Sequence, residues 1–313
     1  MFIVLAILIA FCGSGLRAEK PHRINGVIEK LAKGEVVLGT SPADLSLTNA
    51  AVLADSPLDF VQIDMEHSPL DFETLRTFMQ GMISRREVVN KRSVRPNVVP
   101  FVSVPQNGRE QLQFMIKQSL DLGAYGMMYA HINTAEEALA AVRASRYPQR
   151  KGAPDFQPEG LRGVSPVIAS RYWGLPFEEY MERADVWPID PHGEILVIMQ
   201  AEEAESVKNI DKILEVPGVG AVFIGPLDLA ASLGYPGDTT APEVQQACAR
   251  VLQACKRKGI ACGIAATADN VERYVKEGYQ FIIIGAEGEG LSAVTQRALE
   301  RVGRVGADRA GGR

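Results

Sequence analysis

Histidine and cysteine are scarce in this chain, with four of each among 313 residues. None of the four histidines has the spacing of a zinc ligand set, which argues against a zinc centre. The cysteines do not make a disulfide framework. Cys248 and Cys255 fall on what reads as one helix, with Cα atoms about 10 Å apart, beyond disulfide reach. Cys262 lies in a strand pattern and Cys12 in an apolar run, so the last three thiols read as small core residues. An excess of basic charge is also missing: Lys and Arg number 33 against 38 Asp and Glu, for a net charge of -5. No basic stripe overrides that balance, so nucleic acid is excluded as a partner. No G-x-G-x-x-G follows the first strand pattern, which argues against an open dinucleotide-binding sheet.

One long apolar run is present, Phe2 to Cys12. It is too short to span a bilayer as a helix. Followed by Gly13-Ser14-Gly15 and Leu16-Arg17-Ala18, it fits the core of a secretory leader, with cleavage expected after Ala18. No basic residue precedes it, and the alternatives are an N-terminal helix or strand buried in a cytoplasmic protein. Cys12 raises a lipoprotein alternative, against which stands the bulky Phe11. Export to the periplasm or the medium is the expectation, with no membrane contact beyond the leader.

What remains alternates between strand and helix. Short apolar, often β-branched runs occupy Val36–Thr40, Phe60–Asp64, Val98–Val104, Gly126–Tyr129, Ile195–Met199, Ala221–Ile224, Ile260–Ile264 and Phe281–Ile284. Helical periodicity fills Phe72–Met82, Arg109–Leu122, Ala135–Ser145, Ala204–Leu214, Pro242–Lys258 and Val271–Glu277. Eight alternations predict an α/β fold of the closed (β/α)8 barrel type, which takes about 250 residues. The expected organisation is a leader over residues 1–18, one barrel domain over 19–305 and a Gly-rich disordered tail over 306–313. Ser84 to Pro96 reads as a charged, solvated loop, and Tyr147 to Arg162 as a long excursion before the fifth strand.

In such a barrel the active site lies at the C-terminal strand ends. The second strand ends Asp64-Met65-Glu66-His67, the fifth Gln200-Ala201-Glu202-Glu203, and the sixth continues Gly225-Pro226-Leu227-Asp228. Glu202 and Asp228, on adjacent strands, offer two hard oxygen donors for an octahedral cation such as Mg²⁺ or Mn²⁺. Taken singly, either acid reads equally well as a helix cap. Glu203 and Glu205 read as first-turn residues of the next helix. His67 is the natural acid/base, with Asp64 placed to orient its ring.

Asp59 to His67, Gln200-Ala201-Glu202 and Gly218 to Leu229 resemble the signatures of the HpcH/HpaI family of class II aldolases. Gly123, Arg146-Tyr147-Pro148, Arg162-Gly163-Val164 and the Gly285 region match as well, so the resemblance runs from residue 24 to 304. It implies a phosphoenolpyruvate/pyruvate-type TIM barrel with a divalent cation (Mg²⁺, Mn²⁺ or Co²⁺) on Glu202 and Asp228. The implied reaction is carbon–carbon lysis of a 2-oxo acid aldol, or decarboxylation of oxaloacetate, through a pyruvate enolate stabilised by the metal. His67 and Asp64 would move the proton and Gln200 would line the site. Backbone N–H groups around Gly163–Ser165 and Leu227–Asp228 would meet the substrate carboxylate. Members commonly form hexamers, so a homo-oligomer is implied.

The match fails at two places. The family places an Arg at the end of the third strand, where Ser103 stands, and a hydroxyl lacks a guanidinium's charge and fork of donors. The fourth strand ends Tyr129-Ala130-His131, and His131 either partly compensates for that Arg, redefines the substrate, or simply starts a loop. The alternative to an active aldolase is therefore a family member with altered or lost activity that binds a small 2-oxo acid.

Overall fold

Eight parallel strands close on themselves, each buried on both faces by its neighbours and by the helices between them. The structure is a computed structural model that describes residues 22–105, 113–287 and 292–311. The strands are β1 (Val37–Pro42), β2 (Phe60–Asp64), β3 (Val99–Val104), β4 (Gly126–Tyr129), β5 (Val186–Trp187), β6 (Ile195–Gln200), β7 (Ala221–Ile224), β8 (Ala261–Ala266) and β9 (Phe281–Glu287). The helices are α1 (Gly26–Ala32), α2 (Leu47–Ala54), α3 (Phe72–Gly81), α4 (Arg85–Lys91), α5 (Gln113–Asp121), α6 (Ala135–Ser145) and α7 (Val167–Trp173). They continue as α8 (Phe177–Arg183), α9 (Ala204–Ile213), α10 (Pro226–Ser232), α11 (Pro242–Lys258), α12 (Val271–Glu277) and α13 (Ala293–Gly311).

Pairing runs β4-β3-β2-β1-β9-β8-β7-β6, and β4 pairs back onto β6 to close the barrel. All eight expected strands are present, and the fold is a (β/α)8 barrel. The two-residue β5 is an addition, lying beside the start of β6. Inside, the rings of Phe60 and Phe281 stack at 4.2 Å, with Phe101 and Phe223 at their edges. Gly39 makes the space: a Cβ there would collide with the Phe60 ring. Large and small residues thus alternate to fill a barrel interior that would otherwise hold voids.

The N-terminal end of the barrel is sealed by one side chain. Asn25 caps α1 by accepting from the Val27 and Ile28 amides, and donates to the Tyr125 and Glu194 carbonyls just before β4 and β6. Glu194, itself buried, accepts from the Ile24 and Asn25 amides and pairs with Arg23 and Arg183. A segment outside the barrel is thereby tied to its closing strand pair.

Two expectations change, and one holds. Ser84–Pro96 is not all loop: Ser84 caps α4 by accepting from the Glu87 amide, and Arg92 at φ 51° ends it. The Ser-x-x-Glu start signal outweighs the charge run. The Tyr147–Arg162 excursion is irregular, held by the buried Arg146, which bonds Asp185, the Pro158 carbonyl and the Asp155 carbonyl. Two short helices, α7 and α8, follow it before β6. The segment expected as a tail from Gly306 is helical to Gly311, since isolated glycines cost a helix only about 1 kcal/mol each. Cys248, Cys255 and Cys262 are free and buried, and the expected leader lies outside the described residues. No helix among the described residues is long and apolar enough to cross a membrane.

Replacing Asn25 with Ala removes a cap and two bonds to buried carbonyls, and is expected to lower unfolding free energy by about 3 kcal/mol in urea titrations. A loss under about 0.5 kcal/mol would show that the seal contributes little.

Candidate active site

A cavity of about 520 Å³ opens at the C-terminal ends of the strands. Its floor is built around one buried carboxylate. Glu202 follows β6 with only 1% of its surface exposed. Its Oε1 accepts from the His131 backbone N–H at 2.8 Å, and its Oε2 from Gln200 Nε2 at 2.7 Å. Gly225, between β7 and α10, presses against the same carboxylate, and a Cβ at that position would collide with Oε2. A carboxylate stripped of water needs donors of this kind.

Asp228 stands half-buried in the first turn of α10 and lines the same cavity. Glu66, in the turn after β2, and Asp64, at its end, line it too, so four carboxylates converge from three strand ends. Burial pushes the Glu66 carboxyl up to about 8, and the negative charge of Glu202 adds to the shift. His131 opposes it, while Asp64 and Asp228 contribute in the same direction as Glu202. Burial also raises Glu202, opposed by the His131 amide and ring and by Gln200. A bound cation relieves the repulsion among these acids, and the oxygen donors suit a divalent one.

The other expected residues divide. His67 lines the cavity with a largely exposed side chain, its Nε2 3.9 Å from Glu66 Oε2. Asp64 does not orient that ring by hydrogen bond as expected. Its Oδ1 accepts from the backbone amides of Glu66 (2.8 Å) and His67 (3.1 Å), so it fixes the turn rather than the imidazole. Aspartate bonding two residues ahead is the ordinary behaviour of this side chain in a turn, and it wins over the longer reach to the ring. Gln200 lines the cavity, and its Oε1 is buried without a partner among the described residues. Leu227 also lines it, 63% exposed. Ser165 is exposed in the irregular segment before α7 and is not among the cavity-lining residues.

Ser103 stands where the resemblance implies a substrate-binding residue, but it does not line the cavity. It is wholly buried, paired in register with Asp64 across the β2–β3 ladder. Its Oγ accepts from Gln62 Nε2 at 2.5 Å and donates to Asp64 Oδ1 at 3.2 Å. Gln62, not Ser103, reaches the cavity. The polar Gln62 inside an otherwise apolar strand was the sequence signal for this pair.

His131 carries two roles that its sequence neighbourhood does not announce. Its backbone has φ 51°, a left-handed conformation that costs most side chains about 1–3 kcal/mol. That conformation aims the amide at Glu202. The ring lies between acids, with Nε2 3.6 Å from Glu66 Oε1, and Nδ1 3.7 Å from Glu202 Oε1 and 2.8 Å from Glu203 Oε1. Glu203 is also the N-cap of α9 with Glu205 in its first turn, as their sequence position suggested.

The HpcH/HpaI aldolase/citrate lyase family matches residues 45–293 of this chain. A 4-hydroxy-2-oxovalerate aldolase of Rhodococcus jostii (strain RHA1) is 34% identical over 90% of this chain and 97% of its own length. A hydroxypyruvate/pyruvate aldolase of Paraburkholderia phytofirmans (strain DSM 17436 / LMG 22146 / PsJN) is 33% identical over 81% of this chain and 88% of its own. Among solved structures, an HpcH/HpaI aldolase/citrate lyase family protein from Burkholderia cenocepacia J2315 superposes with a TM-score of 0.70 at 30% identity, covering 91% and 99% of the two chains. With the strand-end carboxylates in one cavity and the family matched over most of its length, the chain belongs to the HpcH/HpaI aldolase/citrate lyase family, whose fold is the (β/α)8 barrel seen here.

Proposed function

We propose that this protein is a divalent-cation-dependent aldolase that makes or breaks the carbon–carbon bond beside the carbonyl of a 2-oxo acid. The observation that carries this reading is Glu202: a buried carboxylate, held by two donors and facing two further carboxylates across an open cavity. Glu202 and Asp228 would hold the cation. When bound, it supplies Lewis-acid stabilisation of the negative charge that develops as the bond breaks.

The chain's own residues supply the rest. His67, exposed at the cavity wall, moves the proton of the aldol hydroxyl, and Asp64 fixes the turn that presents it. Gln200 is locked by its bond to Glu202, which leaves Oε1 as an acceptor for a substrate hydroxyl or water. The amides of Leu227 and Asp228, in the first turn of α10, have no intrahelical carbonyl to bond and suit the substrate carboxylate. Assembly into a homo-oligomer belongs to the same reading, supported by the exposed apolar side chains of Val167, Ile168 and Phe177.

A second reading is favoured by one observation. The Gln62–Ser103 pair is neutral, and losing one preorganised charged donor from such a site typically costs about 10²–10³ in rate. A protein of this family that binds a 2-oxo acid but turns it over slowly, or in a different reaction, would look the same.

Proton exchange at C3 of pyruvate, followed by NMR in D₂O with added Mn²⁺ or Co²⁺, separates the two. Exchange that stops on chelation, and falls at least about 100-fold in Glu202→Gln and Asp228→Asn, supports the aldolase. Pyruvate binding without exchange supports the second reading, and neither binding nor exchange would overturn both. Gly225→Ala forces a methyl against Glu202 and is expected to weaken Mn²⁺ binding about tenfold or more while circular dichroism stays unchanged. Unaltered affinity would mean that Glu202 is not the anchor.

A further inference from the structure

The four histidines lack metal-ligand spacing along the chain, but the fold brings one of them to the metal site by a route that spacing does not reveal. Glu66, His131 and Glu202 each offer a ligand atom, and these atoms lie within 4.8 Å of one another. They come from three different loops, after β2, β4 and β6. Two donors bonded to one cation at about 2.0–2.2 Å stand about 3–4.4 Å apart. The 3.6 Å between His131 Nε2 and Glu66 Oε1 falls inside that span.

Resting on the cation-dependent reading above, we infer that His131 is a nitrogen ligand of that cation, with Glu66 beside it, and that the site therefore prefers Co²⁺, Mn²⁺ or Zn²⁺ to Mg²⁺. Imidazole suits such borderline cations, whereas an all-oxygen set suits Mg²⁺.

Three observations carry the inference. First, the left-handed backbone at His131 places the residue's amide on Glu202 and its ring within reach of Glu66 at once. Strain of this kind persists where the surroundings over-determine it, which is common at ligand sites. Second, Glu203 Oε1 stands 2.8 Å from Nδ1, although that buried nitrogen has no aligned hydrogen bond. With Glu203 on the Nδ1 side of the ring, Nε2 is the nitrogen that meets Glu66. Third, Gln200 lines the cavity at 6% exposure, and its buried Oε1 has no donor among the described residues, although its Nε2 is committed to Glu202. An orphaned acceptor beside a ligand carboxylate is satisfied by water or substrate on a bound cation. The competing arrangement is a protonated His131 that substitutes for a cation among the three glutamates.

The two are told apart by pulsed EPR on the full-length protein loaded with Mn²⁺, together with Co²⁺ and Mg²⁺ titrations. Imidazole ¹⁴N modulation on bound Mn²⁺ is expected in the wild type and absent in His131→Asn. Asparagine tolerates the left-handed backbone and keeps the amide that holds Glu202. The same variant is expected to bind Co²⁺ about tenfold or more weakly, with Mg²⁺ affinity changed by less than about threefold. Bound Mn²⁺ without ¹⁴N modulation in the wild type overturns the inference and leaves the Glu202 site standing. A wild type that binds no divalent cation overturns both. The wild-type spectrum decides the matter even if the variant fails to fold.

Discussion

Burying an ionisable carboxylate is among the costlier things a fold can do, and the functional end of this barrel is arranged around one. Glu202 is taken almost wholly out of water, and an unpaired charge there would cost several kcal/mol. Two charge-assisted hydrogen bonds, from the His131 amide and the Gln200 side chain, offset part of that. Facing Glu66 and Asp228, the arrangement still lacks positive charge. The chemistry proposed for the protein is the chemistry that a cation at this point would bring.

Several features far apart in the chain are consequences of that one constraint. Closure of the barrel pairs Tyr129 with Met199, and this register brings the turn after β4 alongside the turn after β6. Only then can the amide of His131 reach Glu202. The next strand over is followed by Gly225, where a methyl would occupy the carboxylate's space. On the far side, Asp64 spends its Oδ1 on the backbone of Glu66 and His67, which sets both side chains at the cavity wall. The Asn25–Glu194 network at the opposite end keeps the β4–β6 seam closed, so the stability of one end and the site at the other share a strand pair.

Much of this was legible in the sequence because barrel strands are buried on both faces and read as short apolar runs between helices. All eight were placed that way, and the acids at their ends followed from the rule that active sites sit there. What was not legible depends on directions rather than spacings. Ser103 is the last residue but one of β3, and its side chain bonds Gln62 and Asp64 of β2. His131 looks like the start of a loop until its positive φ is seen. Glu66 gives no signal of its own beside the more conspicuous His67, although the two share one turn. The short helices α1, α2, α7, α8 and α10, of seven or eight residues, carry little periodic pattern. α4 carried its cap signal at Ser84 and Glu87 inside a charged stretch that concealed it.

The direct measurement is an anomalous-scattering map from a crystal grown with Mn²⁺ and an unreactive pyruvate analogue. A peak bonded to a Glu202 oxygen, with the analogue beside it in the cavity at the strand ends, is the expected result. A Mn²⁺ peak elsewhere, with Glu202 left to its two hydrogen bonds and no ion, would contradict the central role given to this carboxylate.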